Sequence, residues 1–278
     1  MKSIFRFSFI ASLALMYSCR QIPNDGIPFY LKIDSALVLT NPSVEGDPTH
    51  AISDVWVEAN ATNLGAYELP VNFPVLLENE VRFIINPGIQ ESGQSNVRVV
   101  YPFLQPDTLT LNAVRGNFYT HRPSFRYRPA AIFSVVEDFE SGNSFNGIQR
   151  ITTATDTGIA YGLSCGKISV TSLDSNEIGA LIQSKSISGG KEAWVEVDYK
   201  AEVPFYIGFY ANYTGSVPIR APIVFVTPKE KWSKLYVNLT NSIGFANANS
   251  YTLYFEALRP FGTNGGSLFL DNIKLIHY

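Results

Sequence analysis

The sequence predicts an all-β protein built as two successive sandwiches. Three observations carry this. Apolar and polar residues alternate with a period of two through nearly every segment past residue 19, and none keeps a helical period. Turn-forming residues recur between those segments, among 16 Pro and 20 Gly. The length of 278 residues, with 19 Phe and 15 Tyr, supplies core for two domains, each of about 100–150 residues. Hydrophobic residues make up 46% of the chain and charged ones 16%, which excludes intrinsic disorder. A net charge of −3 leaves no basic excess for phosphates, so a nucleic-acid partner is excluded.

Residues 1–19 are an address rather than structure. Lys2 and Arg6 precede an apolar stretch over 7–15 that is too short to span a bilayer. The stretch closes on Leu15-Met16-Tyr17-Ser18-Cys19. A small residue before a cysteine resembles the lipobox of bacterial lipoproteins, in the looser form found among Bacteroidota. The resemblance implies cleavage before Cys19, acylation of that residue with palmitate-type chains, and an outer-membrane lipid anchor facing either side of that membrane. Several acyl chains give stable anchoring. The alternative is an ordinary secretory signal with a chance cysteine.

Residues 20–128 form the first unit. Strands are expected over 29–40, 53–60, 64–70, 81–85 and 97–100, with turns at 60–63, 86–88 and 91–96. Ser53-Asp54-Val55-Trp56-Val57, Leu64-Gly65-Ala66-Tyr67-Glu68-Leu69-Pro70 and Ile85-Asn86-Pro87-Gly88-Ile89 resemble the N-terminal domain of a group of Bacteroidota lipoproteins. That implies a spacer or interaction module. His121-Arg122-Pro123-Ser124-Phe125-Arg126-Tyr127-Arg128-Pro129 carries no acid and marks the boundary, as an extended linker or an acidic partner's contact.

Residues 129–278 form the second unit. It opens Asp138-Phe139-Glu140-Ser141-Gly142 and closes Leu270-Asp271-Asn272-Ile273-Lys274-Leu275. These two motifs resemble the ends of jelly-roll, galactose-binding-like carbohydrate-binding modules. The resemblance implies a structural calcium ion held by Glu140 and Asp271, with Asp138 nearby. The alternative is that Asp138 and Glu140 are solvated turn residues and Asp271 binds backbone amides.

Strands 193–199 and 205–213 read as a hairpin turning at 201–203. Val195, Val197, Tyr199, Phe205, Ile207 and Phe209 then share an inner face. Trp194, Glu196, Asp198, Tyr206 and Tyr210 share the outer one, around Gly208. Aromatic rings stack on the C–H faces of pyranoses while carboxylates bind hydroxyls, so this face is a candidate glycan platform. The alternative is that it packs against the first domain or beneath a loop. Trp232 is expected to cover the core.

Catalytic chemistry is not expected. Cys165 has only His50, His121 and His277 to draw on, none in a recognisable setting, and reads as a buried structural thiol. There is no phosphate loop, nucleophile elbow or metalloprotease helix. The expectation is a membrane-anchored, non-catalytic lipoprotein whose partner is a glycan or, alternatively, another envelope protein; a glycan-active enzyme is the third option.

Overall fold

Period-two segments settle into five sheets in the computed structural model, which describes residues 26–153 and 162–278. Cys19 and the 1–19 address therefore lie outside the described residues. In the first half, strand Asp54–Ala59 pairs with Thr62–Glu68 on one side and with Asn79–Gln90 on the other. Asn79–Gln90 also carries Asp107–Ala113 and Arg98–Val100. Phe29–Ile33, flanked by Val71–Val75 and Phe118–Thr120, supplies the facing layer. Phe29, Leu31, Val55, Val57, Phe83 and Ile85 meet there at 0–1% exposure.

Two expectations are corrected in this half. Asn86-Pro87-Gly88 does not break a strand: Asn79–Gln90 runs through it, with Val55 opposite Pro87 and Asp54 opposite Gly88. Gly88 is there because a Cβ would strike the buried Asp54 carboxylate, which accepts from Ser53 Oγ at 2.7 Å and Trp56 Nε1 at 2.9 Å. Long-range pairing has overridden local turn chemistry. Nor is 121–129 a linker. Ser124–Arg126 pairs in parallel with Leu37–Leu39, and Phe125 and Tyr127 are buried.

The second half is a sandwich of two larger sheets. One runs Gln149–Thr152, Ser164–Val170, Gly266–His277, Ala193–Ala201, Lys229–Asn238, with Ile132–Glu137 also on Gly266–His277. The other runs Phe145–Asn146, Asn176–Leu181, Ser250–Leu258, Phe205–Asn212, Ile219–Val226. A short helix, Thr240–Ala246, sits at one end. The inner faces contribute Val195, Val197, Phe205, Ile207, Phe209, Leu253, Phe255, Leu270 and Ile273 at 0–1% exposure. Cys165 is buried as expected, in a small cluster with Ile151 and Phe269. Trp232 packs on that cluster, outside the main core.

The halves share a core. Trp194, Tyr236 and Ile276 of the second half belong to the apolar cluster of the first. Trp194 is 2% exposed, its ring lies edge-on to Tyr101 at 5.6 Å, and its Nε1 donates to Glu192 Oε2 at 2.7 Å. Ser92 N–H donates to Tyr236 O at 2.7 Å, and Tyr278 Oη donates to Pro102 O at 2.8 Å. Trp194→Ala should therefore cost about 3–5 kcal/mol, the usual loss for a buried Trp→Ala change. Chemical denaturation would measure it, and an unchanged midpoint would return Trp194 to the surface.

Candidate functional site

Strands Ala193–Ala201 and Phe205–Asn212 do not pair with each other. The first lies between Lys229–Asn238 and Gly266–His277; the second lies between Ile219–Val226 and Ser250–Leu258 in the opposite sheet. The connection through Glu202, the buried Val203 and Pro204 crosses the sandwich instead of closing a hairpin. The expected inner face is correct: Val195, Val197, Tyr199, Phe205, Ile207 and Phe209 all line the core. These residues meet across the layers, as Tyr199 and Phe205 do edge-on at 5.2 Å. The outer residues consequently point in opposite directions. Trp194, Glu196 and Asp198 face the first half, while Tyr206 and Tyr210 lie on the far side of the molecule. The five do not form one platform.

Glu196, 1% exposed, sits at the centre of the junction. Its Oε1 accepts from Tyr101 Oη at 2.7 Å and Tyr127 Oη at 2.8 Å, both from the first half. Lys234 Nζ lies 3.5 Å from Glu196 Oε2 and 3.7 Å from Asp198 Oδ1, and donates to Thr49 Oγ1 at 2.9 Å. Lys274, 1% exposed, donates to Asp47 O at 2.8 Å and lies over the Tyr127 ring at 5.1 Å. Burial pulls the Lys274 ammonium down to about 8, against the attraction of Glus and Asps led by Glu196. Burial, followed by the Glu196 charge, pushes the Tyr101 and Tyr127 hydroxyls well above the usual phenol range. Trp194, Glu196 and Asp198 are all buried in this network.

The outer face of the five-stranded sheet is different. Tyr206 stands opposite Glu256 and Phe225, and Tyr210 opposite Thr252 and Arg220. Tyr254 stands between them, opposite Gly208, where any Cβ would collide with the Tyr254 ring and Ala221 O. Tyr206 meets Phe225 at 5.2 Å and Tyr210 meets Tyr254 at 4.9 Å. Four residues of strand separate Tyr206 from Tyr210, about 13 Å. Arg220 lies over the Tyr254 ring at 5.4 Å and forms an ion pair with Glu256. Asn176 Nδ2 donates to Glu256 Oε1 at 2.6 Å, and Asn212 Nδ2 to Thr252 Oγ1 at 3.0 Å. Arg220 and Phe225 are exposed, and Tyr206 and Tyr210 half-buried. Sequence reading reached the two tyrosines and missed Arg220, Tyr254, Glu256 and Asn176. The alternation of Thr252, Tyr254 and Glu256 was the available signal.

The expected calcium ligands divide. Glu140 Oε1 accepts from the N–H groups of Leu163 at 2.6 Å and Ser164 at 2.9 Å, so it closes a loop. Asp138 Oδ1 accepts from Glu140 N–H at 2.9 Å. Asp271, 1% exposed, stands opposite Asp198. Its Oδ1 accepts from Asn272 N–H at 2.8 Å, while Asp271 Oδ2 and Asn272 Oδ1 are buried with no hydrogen-bond partner. Unpartnered carboxylate and amide oxygens are the donor type a hard cation takes. Among the described residues no three of His, Cys, Asp and Glu converge as a ready ligand set. Asp271 and Asn272 each carry an oxygen of that type, while Glu140 Oε1 is taken up in closing its loop.

Burial pushes the Asp271 carboxyl up to about 8, a rise the Asn272 N–H moderates and Asp198 reinforces. The folded state holds a proton that the unfolded state gives up at ordinary carboxylate pH. That contribution is complete below about pH 4 and is lost as pH rises through about 8. In chelator, thermal midpoints of the wild type should carry this fall between pH 4 and 8, and Asp271→Asn should flatten it. Parallel curves for the two proteins would refute the buried neutral carboxyl.

No known family matches the sequence, and no curated relative does either. Solved structures with a similar fold include the xylan-binding CBM22-1 domain of Paenibacillus barcinonensis Xyn10C, at 14% identity and TM-score 0.40, covering 54% of this chain and 97% of that one. TmCBM61, solved with β-1,4-galactotriose, matches at 14% identity and TM-score 0.33, covering 50% and 93%. A CBM29-2 mutant complexed with mannohexaose matches at 12% and 0.36, covering 52% and 92%.

Proposed function

We propose that the chain is a non-catalytic, glycan-binding lipoprotein, tethered through acylated Cys19 to the outer membrane. The observation that carries the binding reading is the outer face of the five-stranded sheet. It presents Phe225, Tyr206 and Tyr210, with the buried Tyr254 ring packed over Gly208 between the two tyrosines. Beside them stand Arg220, paired with the buried Glu256, and amide and hydroxyl groups from Asn176, Thr252 and Asn212. Flat rings beside fixed donors and acceptors suit a sugar, which offers C–H faces and hydroxyls together.

Affinity electrophoresis against xylan, β-1,4-galactan and mannan, the glycan types carried in the names of the three similar structures, tests this. Tyr210→Ala and Phe225→Ala should each weaken binding by about 1–3 kcal/mol, about ten- to a hundredfold, with melting little changed. Trp194→Gln serves as the contrast, since it perturbs the junction far from the face. Retained binding in both face variants would move the site elsewhere, and turnover of any glycan would replace the non-catalytic reading.

The anchor and the ion belong to the same proposal. Cys19→Ala should shift the protein from the membrane fraction to the soluble one; unchanged partition would sink the lipid anchor. Calcium would sit at Asp271 Oδ2 and Asn272 Oδ1, with backbone carbonyls completing its shell. Because Asp271 must release its proton, affinity measured by titration calorimetry should rise with pH up to about 8. Binding to the folded state at a hundredfold excess over Kd adds about 2.7 kcal/mol, visible as a several-degree rise in Tm.

A further inference from the structure

The first half enters the described structure at Gly26, and its apolar exposure is gathered at that end. Ile27 is 66% exposed, Leu76 68%, Val114 55% and Phe118 69%; of the large apolar residues exposed among the described residues of this half, only Val44 lies elsewhere. Register places the four together. Leu76 follows Val75, which stands opposite Phe29; Val114 follows Ala113, which stands opposite Asn79; Phe118 stands beside Tyr30 and stacks on its ring at 4.7 Å. Gly116 N–H ties the 114–117 turn to Pro28 O at 3.0 Å. Ile27, Leu76 and Leu77 line one shallow depression with Gly26. Its charged groups, Glu78 and Arg115, neutralise each other at 2.9 Å.

We infer that this end is a bilayer-docking surface, seated on the membrane to which Cys19 is tethered. The inference rests on the lipid-anchor reading. Seven residue steps separate Cys19 from Gly26. Whatever their conformation, they span at most about 25 Å, since each extended residue covers about 3.3–3.6 Å. An acylated Cys19 therefore holds this end within reach of the headgroup region, where apolar side chains bury about 5–10 Å into the acyl boundary. A charge-neutral cluster topped by an aromatic ring suits that depth. The tether keeps the bilayer at high effective concentration beside it, so a weak apolar contact suffices.

The test uses the full acylated chain reconstituted into phosphatidylethanolamine–phosphatidylglycerol vesicles. Val114→Cys takes an environment-sensitive dye, because Cys165 is buried at 0% exposure and Cys19 is acylated. Val217→Cys, 83% exposed in the second half, carries the dye as the distant control. The expected result is a blue shift and severalfold quenching by spin-labelled lipid at position 114 and none at 217. Introducing Leu76→Asp with Phe118→Asp should abolish that quenching while the protein still floats with vesicles. Flotation with a solvent-like spectrum at 114 overturns the docking surface and leaves the anchor intact. Failure to float overturns the anchor and the docking surface together.

Discussion

A buried carboxylate from one half of this molecule takes its hydrogen bonds from hydroxyls of the other. Glu196 accepts from Tyr101 and Tyr127, and its remaining oxygen faces Lys234. Burying a carboxylate is costly unless every lone pair finds a partner, and removing one partner of a buried pair commonly costs about 3–5 kcal/mol. The network adds little net stability over an apolar core of equal volume. What it does is forbid alternatives. Any sliding or rotation of the halves strands Glu196, Lys234 and Lys274 together, so the two sandwiches hold one orientation. The outer face of the five-stranded sheet is thereby fixed relative to the end of the first half that bears Gly26.

That constraint explains what the sequence reveals and what it conceals. Alternation reports parity, and parity was legible: Val195, Val197, Phe205 and Ile207 point inward as their spacing requires. Alternation is silent on partners. Strands joined by three residues read as a hairpin, yet here the short connection crosses between sheets, and one outer face became two. Trp194 illustrates the cost of that ambiguity. An aromatic beside two carboxylates has the composition of a sugar site whether it faces water or a second domain, and only long-range packing separates those outcomes. Pro87 and Ser124–Arg126 mislead for the related reason that strong distant pairing outweighs local breaker chemistry.

Asp271 and Glu256 are both buried carboxylates, and they differ in their partners. Glu256, 3% exposed, lies beneath the outer face, where Arg220 neutralises it and Asn176 orients it. Asp271 stands between sheet and junction with one oxygen unpaired, and burial shifts its proton affinity by several pH units. The motif around Asp271 was legible as a short string of letters. The orphaned oxygen of Asn272 beside it was not, because it depends on a left-handed backbone turn, φ +47°, that no spacing announces.

Strand Gly266–His277 hydrogen-bonds to Ile132–Glu137, Ser164–Val170 and Ala193–Ala201, and so is the spine of the larger sheet. Every one of those partners precedes it on the chain, by 65 residues or more at the pair Glu202 and Ser267 that borders it. During synthesis the partners emerge first, each with a bare edge and an apolar face. Sheet closure must wait for the spine, a late and non-local event of the kind that slows folding and exposes intermediates to association.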